Sequence, residues 1–204
     1  MAIDRDLVVR TALELLDEHG LDKLTVRRVA SALDVQAPAL YWHFSGKRAL
    51  LDRLTDAMLA PAAAGLGTRG PWWEWVSAAM EALRGALLAH RDGARVALGA
   101  GLLDAVALGT FVERTTQVLA GAGFELADAS RAAAALVHFT VGRTVEEQSR
   151  PPADLELAAA SSPDFPFPTL GRALVERHAA GSSPDDDFRY SLGIMLTGLR
   201  ATGR

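Results

Sequence analysis

Cysteine is absent from the 204-residue chain. That excludes a disulfide-stapled scaffold, a cysteine-ligated zinc finger and a thiol nucleophile. An overall positive charge is absent too. Lys and Arg number 21 against 25 Asp and Glu, a net charge of −4, so any affinity for nucleic acid has to come from a local patch. The N-terminus, Met1-Ala-Ile-Asp-Arg-Asp6, is charged almost at once and has no apolar signal core. The longest stretch free of Asp, Glu, Lys and Arg runs from Ala57 to Thr68 and contains Pro61 and two glycines, which leaves no candidate membrane span. Alternation of Val, Ile and Thr is scarce. What is there is ordinary for a soluble chain: 50% hydrophobic and 23% charged residues, long enough for one large domain or two small ones. A cytoplasmic location is expected.

The apolar periodicity is helical nearly throughout, so the expected fold class is all-α. Val8, Ala12, Leu15 and Leu16 form one stripe, closed by Gly20. Val26, Val29, Ala30 and Leu33 form a second, with Thr25 as its N-cap. A very short segment follows from Gln36 to Phe44, with Pro38 tolerated only in its first turn. Ser45 is placed to cap a fourth helix carrying Leu50, Leu51, Leu54 and Met58. The segment Pro61–Pro71 has three glycines and two prolines and is the expected domain boundary. The domains then span 1–60 and 61–204. Beyond the boundary, Trp73, Val76, Met80, Leu83 and Leu87 recur at steps of three and four in a helix over 72–90. Arg91-Asp92-Gly93 marks a corner. Further helices are expected over 103–120, 126–150, 170–179 and 184–200, with the Pro/Ala/Ser-rich stretch 151–168 as a loop.

Two short helices joined by a tight turn suggest a helix-turn-helix, which inserts a recognition helix into a major groove about one helix wide. Between Lys23 and Arg53 lie six basic residues (Lys23, Arg27, Arg28, Lys47, Arg48, Arg53) and two acids (Asp34, Asp52), a local +4 within a negative chain. In the short segment, Leu40 and Phe44 at i, i+4 face inward. Ala37, Pro38, Tyr41 and Trp42 or His43 are left outward. Tyr41 offers a hydroxyl to a phosphate, and Pro38 and Ala39 offer apolar contact to a thymine methyl.

The strings Leu24-Thr-Val-Arg-Arg-Val-Ala, Ala37-Pro-Ala-Leu-Tyr-Trp-His-Phe and Lys47-Arg-Ala-Leu-Leu resemble the DNA-binding domain of the TetR family of repressors. Leu87-Leu-Ala-His-Arg-Asp-Gly-Ala-Arg-Val-Ala-Leu-Gly and Val137-His-Phe-Thr-Val-Gly resemble the regulatory domain of its tetracycline-repressor-like branch. The resemblance implies an N-terminal three-helix helix-turn-helix domain and a larger C-terminal helical domain for ligand binding and dimerisation. Arg27 falls where the family reads guanine, and a bidentate arginine suits the O6/N7 edge. Pro38 and Tyr41 match recognition-helix contacts. Thr25, Trp42, His43 and Lys47 match positions near phosphates, although His43 serves equally well as a helix-end packing residue. Ala37 and Ala39 stand where tetracycline-responsive members carry glutamine and threonine. The operator is therefore expected to differ there, or to be read only through methyl contacts.

The resemblance also implies a homodimer bound to double-stranded operator DNA at two half-sites about one helical turn apart. It would pair through the helices near 126–150 and 184–200, whose glycines (Gly142, Gly193, Gly198) permit close approach. The same residues read as intramolecular core without it. A small-molecule effector pocket would be lined from Leu83, Leu87, Val96, Phe111, Thr115, His138, Phe139 and Glu146. Plain core packing accounts for each apolar one equally. His138 and Glu146, two helical turns apart, match positions serving drug and magnesium binding in the family. Ala97 and Ala79 stand where that site has its metal-ligating histidine and its drug-gripping asparagine. Alanines offer no donor to an ion. The expected effector is thus apolar or aromatic and not a magnesium–tetracycline chelate, with no metal or cofactor held by the chain and no membrane partner. Two other readings stay open: a helical enzyme using His138 and Glu146, although no nucleophile, metal cluster or phosphate loop accompanies them, and a DNA-binding regulator without an effector.

Overall fold

The computed structural model describes residues 4–67 and 70–202, and among them there are helices and no strands. Thr68 and Arg69, inside the expected boundary segment, lie outside the described residues, as do the chain ends 1–3 and 203–204. The helices are α1 (Arg5–His19), α2 (Val26–Ala32), α3 (Ala37–Tyr41), α4 (Lys47–Ala64), α5 (Trp72–Leu88), α6 (Gly93–Ala97), α7 (Val106–Gly121), α8 (Leu126–Ser149), α9 (Ala153–Ala160), α10 (Pro168–Ala179) and α11 (Pro184–Thr202). A 3₁₀ turn at Leu21–Lys23 joins α1 to α2.

Local chemistry explains the first elements. The Asp4 carboxylate accepts from the Asp6 N–H and starts α1, and Gly20, at φ 79°, ends it by donating to the Leu16 carbonyl at 2.7 Å. The Thr25 hydroxyl accepts from the Arg28 N–H at 3.1 Å and opens α2. Val8, Ala12, Leu16, Val29, Leu40, Phe44, Leu50 and Leu54 close into a buried cluster that also takes in Val96 of α6. Each large side chain so buried contributes about 2 kcal/mol. A second and larger cluster joins Leu59 and Ala63 of α4 to α5, α7, α8 and the Phe188, Leu192 and Leu196 positions of α11. The single helix α4 therefore belongs to both clusters.

Several expectations need correction. The fourth helix is not capped by Ser45: it begins at Lys47 after Gly46, with no side-chain cap. It also runs through Pro61 to Ala64. A proline inside a helix costs about 3 kcal/mol. Here Leu59 and Ala63 gain burial on either side of it, and the run of alanines after it favours helix. In α5 the buried tryptophan is Trp75, not Trp73. Trp75 donates its indole N–H to the Gly67 carbonyl at 2.6 Å, while Trp73 lies under the Arg200 guanidinium. The corner at Asp92, φ 57°, leads straight into α6, which the periodicity did not reveal. Gly93 is required there because a Cβ would lie 2.3 Å from the Leu87 carbonyl oxygen. The stretch 151–168 is not all loop. Ala153–Ala160 is helical, with Asp154 and Glu156 in its first turn opposite the positive end of the helix dipole.

Candidate DNA interface and effector core

Leu40 and Phe44 are almost fully buried under α3, and this fixes which side of the helix is free. Trp42 is 89% exposed and Tyr41 51% exposed. Pro38 is exposed as well, and Ala37, Ala39 and His43 are half-buried. Thr25 and Arg27, at the start of α2, are exposed, as is Lys47 at the start of α4. The Lys47 ammonium donates to the Leu21 carbonyl at 3.4 Å, which ties α4 to the turn before α2. Two large aromatic side chains standing in solvent, at the last residue and the C-cap of a five-residue helix, are an arrangement that water alone does not favour.

Behind this surface lies a polar joint that sequence reasoning missed. Arg48 donates to Asp52 at 2.8 Å and to the Val96 and Leu98 carbonyls at 3.1 Å each, so α4 grips the end of α6. Asp17 of α1 accepts from the Arg91 N–H at 3.0 Å and faces the His90 ring at 3.0 Å. Arg95 bridges Asp22 at 2.9 Å and Asp92 at 3.1 Å. The hydrogen bond from Arg95 holds the Asp22 carboxyl below its ordinary value, and Asp22 raises Arg95 in return. Asp17 is 73 residues from His90 and 74 from Arg91, and Asp22 is 73 from Arg95, so no local pattern signals these contacts.

The eight residues proposed for an effector pocket do not share one environment. Leu83, Leu87 and Phe111 are fully buried in the large cluster, and Thr115 is fully buried one turn beyond Phe111. Val96 is equally buried but in the N-terminal cluster. Phe139 is half-buried and stacks on Phe188 at 5.7 Å. His138 and Glu146 are exposed on α8, so a buried His–Glu pair is not what the fold makes of them. Periodicity placed them on one face of a helix, but that face points away from the core of their own chain. Ala79 and Ala97 are packed into the large cluster. They bring no donor atoms, so these residues do not fit a magnesium–tetracycline chelate. Among the described residues no group of three or more His, Asp or Glu is placed to hold a metal ion.

Thr115 stands apart from the other buried threonines. Thr55, Thr140 and Thr144 each donate to the carbonyl one turn back, at 2.9, 2.8 and 2.7 Å. The Thr115 hydroxyl has no partner among the described residues. One edge of the large cluster is also braced by ions. Arg84 of α5 meets Glu147 of α8 at 2.7 Å and Asp185 of α11 at 2.8 Å, and lies over the Phe188 ring. The hydrogen bond that Arg84 donates to Glu147 is the main cause of the raised Arg84 pKa.

Comparison with known proteins agrees with this architecture at both ends of the chain. Residues 8–54 match the family model described as bacterial regulatory proteins, tetR family, and residues 64–202 match the tetracyclin repressor-like C-terminal domain. The chain is 38% identical over 194 residues, 94% of its length and 88% of the relative's, to the tetracycline repressor protein class A from transposon 1721 of Escherichia coli. The crystal structure of a possible TetR family transcriptional regulator from Streptomyces coelicolor A3(2) superposes with a TM-score of 0.84 at 39% identity, covering 98% of this chain and all of that one. ActR, a TetR family protein of the same species determined in complex with (S)-DNPA, gives 0.80 at 31% identity, covering 99% of each chain. No described helix is long and apolar enough to cross a membrane. With matches over both parts of the chain and a fold that follows them, the protein belongs to the TetR family of transcriptional regulators, which are not enzymes.

Proposed function

We propose that the protein is a cytoplasmic repressor that binds a palindromic operator as a homodimer and is released by a small apolar or aromatic molecule other than magnesium–tetracycline. Residues 1–60 form the DNA-binding domain and residues 61–204 the ligand-binding and dimerisation domain. The observation that carries the DNA part is the display of α3, anchored by Leu40 and Phe44 with Pro38, Tyr41 and Trp42 turned to solvent. Ala37, Pro38 and Ala39 meet base edges in the major groove. Arg27 takes a guanine, and Thr25, Tyr41, Trp42, His43 and Lys47 meet phosphates.

Two features of α8 and α11 support pairing. Tyr190 and Ile194 are 73% and 59% exposed, on the same side of α11. Arg143 of α8 has a buried guanidinium nitrogen without an acceptor among the described residues, in a cleft of about 720 Å³ that Tyr190 and Ser191 also line. A buried N–H without a partner costs about 1–3 kcal/mol, and a second copy can supply the missing acceptor.

The unpartnered Thr115 hydroxyl supports an effector site among Leu83, Leu87, Phe111 and Phe139, and a ligand with one polar group would satisfy it. His138 and Glu146, exposed on α8, join such a site only if the helix meets other surfaces in a dimer. The joint between α6 and the N-terminal helices then gives the linkage. A ligand that favours one setting of α6 disfavours operator by the same factor that operator disfavours ligand.

Selection of duplexes from a random-sequence pool by the purified protein tests the first claim. Enrichment of a palindrome with half-sites about one helical turn apart is expected. Failure to enrich any duplex refutes it. Titration of that complex with aromatic compounds tests the second. A regulator whose operator affinity no compound changes is the reading favoured by the complete burial of Leu83, Leu87 and Phe111.

A further inference from the structure

Beside α3 stands a basic residue of α1 that has no assignment so far. Arg5 opens α1, is exposed, and forms no ion pair among the described residues. Its Nε lies 3.4 Å from Nδ1 of His43, 38 residues away at the end of the recognition segment. A guanidinium is always protonated and can only donate. The ring nitrogen facing it must accept, and it accepts only when it carries no proton. A neutral imidazole has one N–H, so the proton of His43 sits on Nε2. The contact therefore selects one tautomer of His43 and makes its other nitrogen a hydrogen-bond donor.

We propose that Arg5 is a positioning residue for DNA binding: it holds His43 as a neutral Nε2–H donor to a backbone phosphate at the edge of the groove that α3 enters. The inference rests on the repressor reading above and deepens it. His43 is half-buried and shares the wall of a cleft of about 470 Å³ with Arg5, Tyr41, Trp42, Ser45 and Arg53. Asp6 and Asp104 border the same cleft and disfavour a phosphate inside it. The rim is left as the place of contact, where the imidazole and the Tyr41 hydroxyl both offer an O–H or N–H. Phosphate contacts of this kind set register on the duplex and carry no sequence information, so the effect of Arg5 is uniform over operator sequences.

Two measurements test the proposal, and the first needs no DNA. Long-range ¹H–¹⁵N correlation of the free protein at about pH 8, where an ordinary imidazole is neutral, is expected to show a proton-bearing Nε2 and a bare Nδ1 for His43. The Nδ1 signal is expected to move in Arg5→Ala. A proton on Nδ1 overturns the proposal. The second is a double-mutant cycle on a duplex recovered from the random pool by the unaltered protein. Arg5→Ala and His43→Ala are each expected to weaken binding about fivefold, as for one lost hydrogen bond, and the double variant no more than either alone. Losses that add show Arg5 touching phosphate by itself, and an unchanged affinity shows no role; each overturns the positioning role. If no duplex is recovered, the repressor reading fails and takes the role of Arg5 with it, while the ring signals still report whether the Arg5–His43 contact exists.

Discussion

The Asp92 carboxylate accepts the backbone N–H of Leu21 at 2.9 Å, across 71 residues of sequence. Asp92 itself sits in the left-handed region at φ 57°, directly before α6, and Leu21 opens the turn between α1 and α2. One side chain thus fastens the corner between α5 and α6 to the turn between α1 and α2. A Cβ on Gly20 would lie 3.0 Å from the same carboxylate, so the joint is closely packed.

Replacement of Asp92 should be felt in stability. Asp92→Ala loses the Leu21 and Arg95 contacts and places a Cβ residue without a local hydrogen-bonding side chain in the left-handed region. A loss of about 2 kcal/mol is expected, against well under half of that for Asp92→Asn, which tolerates the backbone and keeps an acceptor. Urea unfolding of the two variants checks the order; an equal loss removes the joint from the account.

Leu40 and Tyr41 are neighbours with opposite duties. Leu40→Ala empties a buried site and is expected to cost about 2–4 kcal/mol. Tyr41→Ala, on the open side, is expected to change stability by less than about 0.5 kcal/mol while weakening operator binding. Thermal melts paired with a binding assay separate the two. Operator binding as tight in Tyr41→Ala as in the parent means that α3 is turned the other way.

The Asp22–Arg95 pair has an acid signature. Hydrogen bonding to Arg95 depresses the Asp22 carboxyl in the folded chain. A depressed value means that the folded state holds its proton less tightly than the unfolded state. The contribution is therefore complete above the ordinary carboxyl range and is lost as the pH falls through the lower, folded value. Asp22→Asn is expected to lose part of the acid sensitivity of unfolding below about pH 4 and to leave the neutral-pH profile nearly unchanged, because the pair is exposed. Identical acid-unfolding curves for the two proteins count against the pairing.

Thr115→Val removes a buried hydroxyl that has no partner among the described residues. Stability is expected to stay level or rise by up to about 1 kcal/mol, since nothing is left unpaired. If the hydroxyl serves an effector, the concentration of that compound needed for release rises in the same variant. A destabilisation above about 1 kcal/mol shows instead that the hydroxyl is satisfied in solution.

How much was legible differs from element to element. Leu40 and Phe44 at i, i+4 were enough to orient α3, because a short helix with two apolar anchors has one way to bury them. The Thr25 cap was legible for the same local reason. The helix α9 was not, because Pro151, Pro152 and Pro163 around it outweighed its Ala–Leu core in a composition-based reading. The passage of α4 through Pro61 was hidden because the compensating burial of Leu59 and Ala63 comes from α5 and α7. For His138 and Glu146 the helical period fixed a common face, and only the packing of α8 showed which way that face turns.

By itself the amino-acid order determined the helical class, the Thr25 cap of α2 and the outward turn of Pro38, Tyr41 and Trp42, since each depends on neighbours within a turn or two. Which arginine meets which carboxylate was decided by tertiary structure. Asp22 with Arg95, and Arg84 with Glu147 and Asp185, are pairs that the chain brings together only after its apolar stripes have packed. Charge has no period to read, and its partner is chosen by where the hydrophobic clusters leave it.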